Sequence, residues 1–144
     1  MVTVFRVEAI DDRIAEAVRR LVPQLSAALP LPSREALARM AASPSAALFC
    51  AETGGEVAGM LSLAWYDVPS GRCAWIEDVV VDAAARGRGA GRALVEAALE
   101  HARCVGADRV SLTSSAARSA ARALYLSCGF ERCDTTLFRR RLGQ

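Results

Sequence analysis

The sequence predicts one mixed α/β (α+β) domain, on three observations. Stretches of helical period alternate with stretches of strand period along the chain. A valine-rich strand runs into a glycine-rich loop that opens an amphipathic helix. The apolar content is also high, with 53% of the 144 residues hydrophobic and 24% charged. A chain of this length buries roughly 70% of the surface that its unfolded form exposes, so its core needs no disulfide or metal staple. No internal repeat, linker or low-complexity tract divides residues 1–144.

The elements follow in order. Residues 2–8 alternate as a strand, with Val2, Val4 and Phe5 offered to the core. Asp11 or Asp12 caps a helix carrying Ile14, Ala17, Val18, Leu21, Val22 and Leu25 at helical spacing, and Pro23 should kink or split it. Leu29-Pro30-Leu31-Pro32 is a loop, after which Ser33 caps a second helix to about Ala42. Two apolar runs, 47–51 and 57–65, flank Thr53-Gly54-Gly55-Glu56, which is a β-hairpin signal. A turn at Pro69-Ser70-Gly71 leads to a strand over 73–81. The loop at 86–91 then opens a helix whose stripe is Leu94, Val95, Ala98, Leu99 and Ala102, ended by Gly106. A short strand over 109–113, a helix over 116–128 and a final pair of strands within 130–142 complete the chain.

Composition excludes several functions. The net charge is only +2, and all 18 positive charges are arginine, an alanine- and arginine-rich usage expected of a GC-rich bacterial genome. Nucleic-acid binders normally carry a strongly basic face, so no nucleic-acid partner is expected. Arg139-Arg140-Arg141 is read as the guard of an edge strand. Cys50, Cys73, Cys104, Cys128 and Cys133 are scattered, with no CxxC pair, and are expected as buried reduced thiols. His101 is the single histidine and is expected on a helix surface. Clustered ligands are therefore lacking, and no metal is expected; Ser-His or Cys-His catalysis is equally unsupported. With no long uncharged apolar run and no signal peptide at Met1–Arg6, no membrane partner and a cytoplasmic location are expected.

Arg86-Gly87-Arg88-Gly89-Ala90-Gly91 stands between strand and helix. Glycines let the backbone turn with its N–H groups inward, and a helix N-terminus adds partial positive charge, which together suit a phosphate or pyrophosphate. No Gly-Lys-Ser/Thr follows, and Arg92 stands where a dinucleotide fingerprint needs glycine. The pattern Arg86-x-x-Gly89-x-Gly91 after the strand Ile76–Asp82, with Ala123-Leu124-Tyr125-Leu126-Ser127-Cys128-Gly129-Phe130 beyond it, resembles the GNAT superfamily of N-acetyltransferases. Leu112-Thr113-Ser114-Ser115 is similar to a common bacterial variant of that family.

The resemblance implies a six- to seven-stranded, mostly antiparallel mixed sheet with helices on both faces. Its fourth strand would carry a bulge and splay from the fifth, making a cleft for acetyl-CoA and an amine acceptor. Pantetheine would pair with Val79, Val80 and Val81. The pyrophosphate would sit on the amides of Arg86, Gly87, Arg88, Gly89, Ala90, Gly91 and Arg92, with Arg118 and Arg122 completing the cofactor-binding set. Tyr125 holds the family's tyrosine position and would act as the acid. It lies with Arg118 and Arg122 on one helix face, apart from a core stripe of Ala120, Ala121, Leu124 and Cys128.

Glu77 is the favoured base, directly or through water, and Asp78 is the second. Ideal alternation puts Glu77 on one face with Trp75 and Val79, where burial would raise its pKa. The acceptor wall is assigned to 21–42 and to Trp65, Tyr66 and Asp67, with Trp75 and Asp134 as further candidates. The implied protein is a monomer or homodimer acetylating a small amine, a protein N-terminus or a lysine. Its alternatives are a non-catalytic acyl-CoA-binding regulator and a nucleotide-binding module.

Overall fold

Gly54 and Gly55 form the two-residue turn at the centre of the sheet, with φ of +56° and +82°. Positive φ at both positions matches the right-handed twist of flanking strands, and glycine adopts it without a Cβ penalty. The structure is a computed structural model in which residues 1–143 are described. In chain order the elements are β1 (Val2–Arg6), α1 (Asp12–Leu25), α2 (Arg34–Ala41), β2 (Ala46–Thr53), β3 (Glu56–Val68), β4 (Gly71–Val81), α3 (Ala90–Cys104), β5 (Arg109–Ser111) and α4 (Ser119–Ser127). The sheet order is β1-β2-β3-β4-β5. Its first three junctions are antiparallel and the last, across α3, is parallel.

Side-chain caps fix the starts of α1 and α2. Asp11 accepts from the Ile14 amide at 2.8 Å, and Ser33 accepts from the Ala36 amide at 3.1 Å. Pro23 neither splits nor ends α1, because it stands in the final turn, where few hydrogen bonds remain to be lost. On one sheet face α3 buries Leu94, Val95 and Ala98 against Leu61, Leu63 and Ile76. On the other, α1 and α2 bury Ile14, Val18, Leu21 and Leu37 against Cys50 and Val80. Each fully buried leucine or valine adds about 1.5–3 kcal/mol. Among the described residues, no helix is long and apolar enough to cross a membrane.

Three expectations change. The sheet has five strands among the described residues where six to seven were implied, because 130–142 forms no strand. That segment places Leu137 and Phe138 side by side, followed by three arginines, so it lacks the period of two that would give it a core-facing side. Leu137, Phe138 and Leu142 are exposed, and Arg139-Arg140-Arg141 guards no strand edge. Secondly, only Cys50 and Cys73 are fully buried, while Cys104 and Cys133 are exposed; all five cysteines are free. Burial pushes the Cys50 thiol up to about 12, which leaves it protonated and inert.

Thirdly, His101 lies against the core instead of outside it. Its ring meets Phe49 at 5.6 Å and Trp65 at 5.2 Å between centroids, and its Nε2 is buried without a partner. Burial, with a smaller contribution from Arg6, lowers its pKa below the ordinary 6.5. The unfolded chain therefore takes up a proton that the folded chain refuses. Stability is full above pH 6.5 and falls as pH drops from there towards the folded-state value. Urea midpoints should thus decline between pH 7 and pH 5.5, and His101→Leu should flatten that decline; an unchanged slope would mean that another group drives it.

Candidate active site

The site begins with an irregularity in β4. Met60 pairs with Val80 and Ser62 with Glu77, so Asp78 and Val79 together oppose the single residue Leu61. This is a β-bulge. Asp78 absorbs it with φ of +51°, a region that aspartate and asparagine enter more readily than other non-glycine residues. The bulge also shifts the phase of the strand. Ile76 and Val79 pack on the α3 side, whereas Val80 packs under α1. Glu77 therefore shares its face with Trp75 and not with Val79, which ideal alternation had predicted. Its side chain is exposed, as is that of Asp78, so the cost of burying a carboxylate does not arise.

Just before the bulge the sheet opens on its other edge. β5 pairs with β4 only from Cys73 to Trp75, opposite Arg109 to Ser111. From Ile76 to Val81 the corresponding edge of β4 has no strand partner among the described residues. The main-chain groups of Val79, Val80 and Val81 lie along this free stretch.

The loop closes the same end. Asp82 turns the chain into a short 3₁₀ segment at Ala83–Ala85 by accepting from the Ala84 amide, which holds its carboxyl below the usual carboxylate range with help from Arg20 and Gln24. Gly87 and Gly89 follow with φ of +82° and +85°, and α3 starts at Ala90. Among the described residues, no backbone N–H from Arg86 to Arg92 donates to another group of the chain. Seven consecutive donors thus stand at the N-terminus of a 15-residue helix. Such a run of free donors at a helix start suits an anion.

Gly91 joins the loop to α4. A Cβ there would lie 3.1 Å from Leu124 Cδ2 and 3.8 Å from Val81 Cγ2, so β4, the loop and α4 converge on it. Tyr125, next to Leu124, is half-buried, with its ring edge-on to Phe130 at 6.0 Å and 68°. It packs against the α3-side core together with Leu124 and Cys128, whereas Ala120, assigned to that stripe, is exposed. Burial raises the Tyr125 phenol above its ordinary 10, while Arg118 pulls it down by less. Near neutrality the phenol is therefore protonated.

The arginines divide into two groups. Arg92 donates to Ser127 Oγ at 2.5 Å and to Cys128 Sγ at 3.7 Å, and it lies 3.7 Å from Glu96, so its guanidinium ties α3 to α4. Arg86, Arg88, Arg118 and Arg122 form no ion pair among the described residues. Of the acceptor-side candidates, Trp65 is core. Asp67 is held by Arg72, whose hydrogen bond lowers its carboxyl. Asp134 lies in the exposed tail. Among the described residues, no group of three His, Cys, Asp or Glu side chains is placed to hold a metal.

Sequence reasoning missed the contact role of Gly91 and the position of Arg109, whose guanidinium covers Cys73 at 2.8 Å. Spacing carries a signal for the first, since Gly91 is the third glycine of the loop. Nothing local signals the second.

Comparison with known proteins agrees with this fold. The chain is 42% identical over 71 residues to the mycothiol acetyltransferase of Beutenbergia cavernae, covering 49% of this chain and 24% of that protein. It is 45% identical over 60 residues to glucosamine 6-phosphate N-acetyltransferase 1 of Oryza sativa subsp. japonica, covering 42% and 34%. The matched stretches thus span 24% and 34% of these relatives. The crystal structure of a Trypanosoma brucei acetyltransferase superposes with a TM-score of 0.77 at 27% identity, covering 99% of this chain and all of the other. The family model described as the acetyltransferase (GNAT) family matches residues 14–130, and the chain belongs to that family.

Proposed function

We propose that this protein transfers the acetyl group of acetyl-CoA to a primary amine, probing both from the gap where β4 leaves β5. The carrying observation is the run of undonated amides from Arg86 to Arg92 beside that free strand edge. A pyrophosphate takes the amides, with Arg86, Arg88, Arg118 and Arg122 around it. Pantetheine extends along Val79 to Val81 as an added strand would, and its thioester reaches the bulge.

Acetyl transfer from an ammonium removes two protons from nitrogen and delivers one to sulfur. An alkyl ammonium with a pKa near 10 must lose a proton before it attacks. Glu77, directly or through water, takes that proton. The amine lone pair then forms the C–N bond at the carbonyl carbon, and a backbone N–H near Val79 supports the oxyanion. The C–S bond breaks, its electron pair leaves with sulfur, and Tyr125 protonates the thiolate. The new amide nitrogen loses its second proton, which restores the Tyr125 hydroxyl, and the proton held by Glu77 passes to water. The products are the acetamide and CoA thiol. Domain extent (1–144), the monomer or homodimer state and the cytoplasmic location belong to the same reading.

Free-thiol release from acetyl-CoA across a panel of amines tests the function. Release with at least one amine supports it. Calorimetric CoA binding without release would instead indicate a non-catalytic binding domain.

The base has its own test. Glu77→Gln keeps shape but cannot accept a proton, so turnover should fall by about 10²-fold or more at neutral pH and recover in part as pH rises. Asp78→Asn is the control, because asparagine also tolerates the positive φ at that position. Loss of activity in Asp78→Asn alone would reassign the base.

A further inference from the structure

The sheet face that carries Glu77 also carries two aromatic residues that no core element uses. On this face Ser62 pairs with Glu77, Ala64 with Trp75 and Tyr66 with Cys73. β5 adds Ser111 beside Trp75 and Arg109 beside Cys73. Leu61, Leu63, Trp65, Ala74 and Ile76, which point the other way, belong to the core under α3. α1 and α2 cover Leu48, Cys50, Met60 and Val80 and none of these positions. Tyr66 remains 46% exposed, Trp75 is half-buried and Glu77 is exposed.

From this arrangement we infer that the acceptor is a primary amine joined by a short alkyl chain to a flat aromatic group. The inference rests on the acetyl-transfer reading given above. Its first support is spacing. Tyr66 and Trp75 occupy diagonal positions of an antiparallel pair, roughly 7–8 Å apart. Their rings are not among the aromatic pairs in contact, which are Phe49–His101, Trp65–His101 and Tyr125–Phe130. Two rings at that separation leave room for one planar group between them. The small side chains of Ala64 and Ser62 keep its surroundings low.

Charge supplies the second support. Glu77 lies two residues from Trp75 on the same face, about 7 Å along the strand. A carboxylate at that distance meets the ammonium of an amine whose ring sits between Tyr66 and Trp75. Among the described residues, no unpaired arginine occupies the strand positions of this face. Arg109, the cation on this corner, is committed to Asp108 at 2.7 Å, to Ser70 at 3.0 Å and to Cys73 at 2.8 Å. An amino-sugar phosphate would find its anionic group unmet, and a polycation would find one aligned carboxylate.

Thiol release with phenethylamine, n-butylamine and glucosamine 6-phosphate separates these cases. Phenethylamine should show kcat/KM at least tenfold above n-butylamine, carried by KM, and glucosamine 6-phosphate should be poorest. Tyr66→Ala and Trp75→Ala should each remove most of the aromatic preference while leaving CoA affinity in place. With CoA bound, phenethylamine should quench the fluorescence of Trp75, one of two tryptophans. Trp75→Phe should abolish that quench, since Trp65 is 9% exposed and lies on the opposite face. Equal kcat/KM for phenethylamine and n-butylamine, or a preference for glucosamine 6-phosphate, overturns the aromatic assignment and leaves acetyl transfer standing. Absence of both thiol release and CoA binding overturns acetyl transfer itself.

Discussion

Tyr125→Phe should lower turnover by roughly 10²-fold or more and leave CoA affinity nearly unchanged. The two parts of this result have different causes. The ring stays because its packing against the α3-side core and its edge-on contact with Phe130 need no hydroxyl. The hydroxyl itself donates to no group among the described residues, so removing it leaves no partner stranded. On the acid role proposed for Tyr125, only the proton for the departing thiolate is lost. A phenol held above its ordinary pKa of 10 remains protonated through the working range, so the deficit should persist from pH 6 to pH 9. Single-turnover thiol release is the suitable measurement, because it reads chemistry apart from product release. Wild-type rates in that assay would remove Tyr125 from the mechanism.

Gly89→Val should weaken acetyl-CoA binding by about tenfold or more. No atom lies within 4 Å of a Cβ built at Gly89, so the obstacle is not a clash inside the protein. The backbone is the obstacle. At φ of +85° a β-branched residue is strained, and relief of that strain rotates the amides that would face the pyrophosphate. A hydrogen bond to a charged group contributes about 1.5–3 kcal/mol, so loss of even one such contact accounts for the expected change. Calorimetry on variant protein with a wild-type unfolding midpoint checks this. Unchanged affinity would move the pyrophosphate off the loop.

Local chemistry made part of this fold legible in advance. The Gly54-Gly55 turn, the caps at Asp11 and Ser33 and the break after Val81 each depend on a few neighbouring residues, and each stands where expected. The face on which Glu77 lies depends on the bulge, which exists only as a mismatch between β3 and β4. Neither strand alone encodes it. His101 was misplaced for a similar reason: its position on α3 meets Phe49 and Trp65 from two different strands. The tail beyond Phe130 offered apolar residues without the alternation that fixes a register. Tyr66 and Trp75 were visible as aromatics, but only the pairing of β3 with β4 puts them on the side opposite Trp65.

The fastening of the C-terminal third has a thermodynamic consequence. α4 contains no fully buried residue, and β5 is held by three paired positions. The meander from β1 to β4 instead contains most of the fully buried side chains of the sheet. Local opening free energies follow such differences, so the β5–α4 segment should detach before the meander melts. A ligand gripping both sides of the gap binds only the closed form. At a hundred times its dissociation constant it adds about 2.7 kcal/mol, and all of that opposes opening of the least secured segment. Occupancy of the gap would therefore set the order in which the molecule comes apart on heating, from segment by segment towards all at once.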